Sequence, residues 1–138
     1  MDLKKEYGVD KALETDGVWV PLDEDTDILI ARLENKKYMN EIERLSAPHR
    51  RILNSKAGRH TAKKRELANS IMCKVFAKTV LLDWKNLLVG GEKIEYSYED
   101  CLKMLTEYPD FKDDVAREAE NINNFLEEEI EEVKENLS

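Results

Sequence analysis

The chain has 138 residues, 38% of them charged and 41% apolar, with a formal net charge of −8. That length can bury a single hydrophobic core without metal or disulfide. No run approaches about 18 uncharged apolar residues, which leaves out a membrane-spanning helix, and the opening MDLKKEYGVD lacks the apolar stretch of a secretory signal. The two cysteines, Cys73 and Cys101, are expected to be reduced thiols that pack as small apolar groups.

In chain order, residues 1–16 place Leu3, Tyr7 and Leu13 among charges and read as a short helix or loose arm. Residues 17–34 read as a β-hairpin. In GVWVPL, Val18, Val20 and Leu22 alternate with Trp19 and Pro21, DEDT makes the turn, and DILIARL pairs back. Pro21 cannot donate to a ladder, so its strand belongs at an edge. Residues 35–109 read as a helical core. Asn35 caps a helix through Tyr38, Ile42 and Leu45, Pro48 opens a new helical piece, and Gly58 breaks it. A long helix is expected from Thr61 to Leu88, on the stripe Leu67, Ile71, Val75 and Leu82, ended by Gly90-Gly91. Asp83-Trp84, ahead of the glycine turn, reads as the end of its apolar run. Lys93 to Tyr96 is extended, and Ser97 with Asp100 forms a capping box for a helix that Pro109 stops. Residues 110–138 read as an acidic amphipathic helix capped by Asp110, with Val115, Ala119, Ile122, Leu126, Ile130, Val133 and Leu137 on one stripe. The expected fold is mainly α (α+β). It is one domain with a small N-terminal hairpin, a long central helix and an acidic C-terminal helix.

The charge is polarised. Residues 44–65 carry eight Arg or Lys and no acid, whereas 110–138 carry eleven acids against Lys112, Arg117 and Lys134. Such a layout favours oriented contacts with a partner or between copies.

Residues that could carry chemistry do not assemble into a motif. Asp23, Asp25, Asp27 and Glu34 follow the acidic spacing of an EF-hand, but Ile28 stands where the sharp turn needs Gly. His49, His60, Cys73 and Cys101 fit no zinc spacing. Cys101, in the first turn of a helix, has no accompanying oxyanion-hole or phosphate-loop motif, and EEEIEE reads as a solvated face. No catalytic residue, metal ligand or cofactor is therefore expected, and the chain does not read as an enzyme. The basic stretch could contact phosphates, yet it holds no aromatic for base stacking and the whole chain is acidic, so nucleic acid is the disfavoured partner.

Three stretches carry a family resemblance. DKALETDGVWVPL, DILIARLENKKYMNEIERLSAPHRR and TVLLDWKNLLVGGEKIEYSYEDCLKMLTEYPDF resemble the tail assembly chaperones of long-tailed, siphovirus-type bacteriophages and prophages. The core is GVWV, Gly17 to Val20, with ARLENKKY, Ala31 to Tyr38, and the resemblance runs from Asp10 to Phe125. The basic KAGRHTAKK segment departs from the pattern. The resemblance implies a largely helical, self-associating protein in the cytoplasm of the infected or lysogenic host. It would bind the tape-measure protein, help recruit tail-tube subunits and be absent from the finished virion. The alternatives are a nucleic-acid-binding regulator using residues 44–65, or a structural tail-completion protein. Partner-binding candidates are Trp19, Ile30, Arg50, Arg51, Trp84, Phe125, Ile130 and Val133.

Overall fold

The computed structural model describes residues 1–127, and the expected positions Ile130 and Val133 lie outside them. The fold is mainly helical with small antiparallel sheets. Two short helices, α1 (Leu3–Tyr7) and α2 (Lys11–Asp16), form the N-terminal arm. Each is capped by an aspartate, Asp2 and Asp10, whose carboxylate accepts first-turn amides. The arm is tied down. The Asp10 amide donates to the Phe125 carbonyl, and the Arg32 amide donates to that of Glu14.

The hairpin forms as expected. Strand β1 (Val18–Pro21) pairs antiparallel with β2 (Asp27–Ile30), and β1 is the edge strand. Val20, Ile28 and Ile30 point into the core, while Trp19 faces outward. Gly17 sits at φ +91°, where a Cβ would press on Leu29 and Leu82. Only glycine makes this sharp entry into β1 without strain.

The central helix is shorter than expected. Helix α5 runs from Thr61 to Thr79, and the apolar run that follows is a third strand, β3 (Leu81–Lys85), antiparallel to β2. Asp83-Trp84 therefore lies in a strand rather than at a helix end. Ile30 pairs with Leu81 and Leu29 with Asp83, which leaves Leu82 as an extra residue in β3. The bulge allows Leu81 and Trp84, three apart, both to face the core. That spacing mimics a helical stripe in sequence. The third strand also resolves a physical problem, since a two-stranded hairpin is marginal on its own.

Gly90-Gly91 likewise ends no helix. It turns a second small hairpin between β4 (Leu88–Val89) and β5 (Glu92–Lys93), with φ +58° and +83°. Two consecutive positive φ values suit a two-residue hairpin loop.

Helix α3 (Lys36–Ser46) starts where Asn35 accepts the Tyr38 amide at 3.0 Å. The buried Asn35 also donates to the Arg32 carbonyl at 2.7 Å and the Thr79 carbonyl at 3.2 Å. A 3₁₀ turn, Ala47–His49, leads to α4 (Arg50–Leu53). Helix α6 (Tyr98–Glu107) opens with the expected Ser97 cap, which accepts the Asp100 amide. Helix α7 (Pro109–Glu120) follows with Pro109 in its first turn.

The acidic helix expected over 110–138 is interrupted at Asn121, and its part from 128 onward lies outside the described residues. The Asn121 side chain accepts the Asn123 amide and starts a 3₁₀ turn, Ile122–Phe125. Asn is a weak helix former that competes for local backbone amides. The break lets Phe125 enter the core and sets Leu126 beside Val9 in an isolated bridge. The core gathers both faces of this arrangement. Ile28, Ile30, Leu81 and Trp84 from the sheet meet Val75, Phe76 and Val80, with Leu105, Val115 and Phe125 behind them.

Candidate interaction surfaces

The corner around Trp84 is closed rather than presented. The Trp84 indole donates to the Ile94 carbonyl at 2.7 Å and meets the Tyr96 ring edge-on at 4.8 Å between centroids. The Tyr96 hydroxyl donates to the Leu81 carbonyl at 2.8 Å. Its burial raises the phenol pKa above the ordinary range. Cys101 lies beneath it, fully buried, and desolvation pushes its thiol up to about 12. At neutral pH the sulfur is a thiol that packs, without the nucleophilic character of a thiolate.

Of the sequence candidates, Ile30, Trp84 and Phe125 are core residues at 0%, 5% and 0% exposure. No partner can reach them without disrupting the fold, so their assignment to a binding surface is corrected. Apolar character alone does not separate core from interface. Trp19, Arg50 and Arg51 are on the surface. The Lys85 ammonium sits 4.1 Å from the Trp19 ring centroid and covers part of it. Arg50 is bridged to Glu43.

Asp23 also has a local task. Its carboxylate accepts the Asp25 and Thr26 amides at 2.9 and 2.7 Å, which lowers its pKa and pins the β1–β2 turn. Among the described residues, no three His, Cys, Asp or Glu side chains are grouped as a metal would require.

Two surfaces stand open instead. The first is an apolar groove of about 470 Å³ between the β4–β5 hairpin and helices α6 and α7. Leu87, Leu88, Val89, Met104, Tyr108 and Phe111 line it, and Asp110 and Asp114 stand among them. Leu88 and Tyr108 are 59% and 45% exposed. These residues were not among the sequence candidates. Their signal was an apolar LLV immediately before a glycine pair, facing a Tyr-Pro-Asp-Phe helix start.

The second surface is the basic bend. Arg44 is hydrogen-bonded to Glu41, and Arg50 pairs with Glu43. The other six cations, Arg51, Lys56, Arg59, Lys63, Lys64 and Arg65, have no carboxylate partner among the described residues. A recess of about 570 Å³ opens between Arg51, Lys56, Arg59 and His60. His60 begins α5 at φ +52° with no side-chain cap.

No helix among the described residues is long and apolar enough to cross a membrane. The family model of the YdaY prophage protein matches residues 33–136, well over half of the chain. The chain belongs to the YdaY prophage protein family. The match takes in the basic bend, the groove and β3, and it begins after the β1–β2 hairpin. No curated protein and no solved structure matches the chain.

Proposed function

We infer that this prophage-family protein is a tail assembly chaperone. It acts without a reaction centre of its own, in the cytoplasm of the infected or lysogenic bacterium. It binds the tape-measure protein, keeps it soluble, helps recruit tail-tube subunits and leaves before the particle is complete. The observation that carries the reading is the open groove lined by Leu88, Tyr108 and Phe111. An exposed concave apolar surface on a highly charged protein suits the apolar face of a helical client. The prophage family and the resemblance of residues 10–125 to tail assembly chaperones support the same reading.

The test is co-expression of the full chain with the tape-measure protein from the same prophage. The client is expected to stay soluble and to co-purify. The exposed substitutions Leu88→Asp and Tyr108→Asp, which spare the core, are expected to reduce recovery at least about tenfold. An insoluble client in the presence of the wild-type chain would overturn the proposal. Detection of the chain in purified virions would instead favour a structural tail-completion protein.

A further inference from the structure

We propose that the basic bend is a docking surface for a second copy of this chain, received through the glutamate-rich stretch 127–135. This reading is independent of what the apolar groove holds.

Among the described residues, no carboxylate pairs with the six cations of the bend. Six cations lie within Arg51 to Arg65, the segment holds no acid, and all but Lys64 are exposed. Lys63 and Lys64 stand in the first turn of α5, where the helix dipole opposes positive charge. Like charges gathered this way repel one another, and an anionic partner relieves that repulsion.

The chain itself encodes a matching anion. Residues 127–135 read EEEIEEVKE, six glutamates against Lys134 alone. Six exposed or half-buried cations are thus matched in number by six glutamates of the same sequence. A phosphate backbone fits less well, because residues 44–65 contain no aromatic to stack on a base and the whole chain carries −8.

The bend and the start of the stretch have different neighbours within one chain. Helix α4 packs on α5 and the adjoining 3₁₀ turn, whereas residues 122–127 pack on α7 and β1 and bond to Gly8. Reciprocal exchange between two copies repeats one contact twice and closes a symmetric dimer.

The experiment is light scattering on the full chain at about 50 mM and about 500 mM salt, where screening weakens exposed pairs. Twice the 16.1 kDa chain mass is expected at low salt and the single mass at high salt. A bend-reversed variant, Arg51→Glu/Arg59→Glu/Lys63→Glu, and a tail-reversed variant, Glu128→Lys/Glu131→Lys/Glu132→Lys, are each expected to be monomeric. Mixing the two restores both contacts, so the mixture is expected to dimerise at low salt. A wild-type monomer at low salt, or a mixture that stays monomeric, would overturn the proposal. Bend-dependent binding of a labelled DNA duplex without dimerisation would overturn it in favour of a phosphate-binding surface.

Discussion

Helix α5 passes through two environments. From Thr61 to Ser70 only Lys64 and Leu67 are even half-buried, whereas Ile71, Cys73, Val75, Phe76, Ala77 and Thr79 are all buried. The second half is enclosed on several sides, by α3 on one and by α6 and the β3 junction on others. The first half carries Lys63, Lys64 and Arg65 with the basic bend. One continuous helix therefore joins a packed body to a charged arm. Its backbone order comes from tertiary burial at one end, since propensity alone contributes little over ten residues.

The packed body is where a single truncation is expected to cost most. Phe125→Ala is expected to cost about 3–5 kcal/mol, because the ring is fully buried and the site is bounded by packed elements. It also loosens the segment that holds the N-terminal arm, where the Asp10 amide donates to the Phe125 carbonyl and the Glu127 amide to that of Gly8. Chemical denaturation read by tryptophan fluorescence checks this. A loss below about 1 kcal/mol would mean that the 3₁₀ turn contributes little to the core.

A middle effect is expected where the two environments meet. Glu41 on α3 is buried, accepts hydrogen bonds from Arg44 and bonds to Lys78 of α5 at 3.3 Å. The Arg44 hydrogen bond lowers its pKa against the opposing effect of burial, with Lys78 adding to the lowering. A depressed carboxyl pKa contributes stability above the unfolded value, near 4.3, and that contribution is lost as pH falls through the folded value. Glu41→Gln is expected to cost about 1 kcal/mol at neutral pH, since the Arg44 and Lys78 heads can rehydrate. The difference between wild type and variant should shrink on acidification. Parallel urea titrations at neutral and acid pH measure it, and a pH-independent difference would reject the linkage.

The body was partly legible in the sequence and the open surfaces were less so. Alternation gave the β1–β2 hairpin, and the Asn35 and Ser97 caps followed from side-chain oxygens placed one turn ahead of apolar stripes. Strand β3 was hidden by its bulge, because Leu81 and Trp84 keep a helical spacing while paired in a sheet. The break at Asn121 was hidden by an unbroken apolar period, and only the Asn side chain that caps the 3₁₀ turn marks it. The groove was illegible for another reason. Leu88 and Tyr108 are ordinary apolar residues in sequence, and only the fold leaves them uncovered.

Substitutions in the charged half of α5 and the bend before it are expected to change stability least. Arg59→Ser and Lys63→Ser remove exposed cations with no carboxylate partner among the described residues. Exposed substitutions away from caps and packed contacts usually change stability by less than about 0.5 kcal/mol. Here the sign should be slightly stabilising, because Lys63 lies against the positive end of the α5 dipole and beside other cations. Thermal melts under conditions that keep the chain monomeric read this directly. A marked loss in either variant would mean that the arm is part of the cooperative core, and the division within α5 would then be one of surface charge alone.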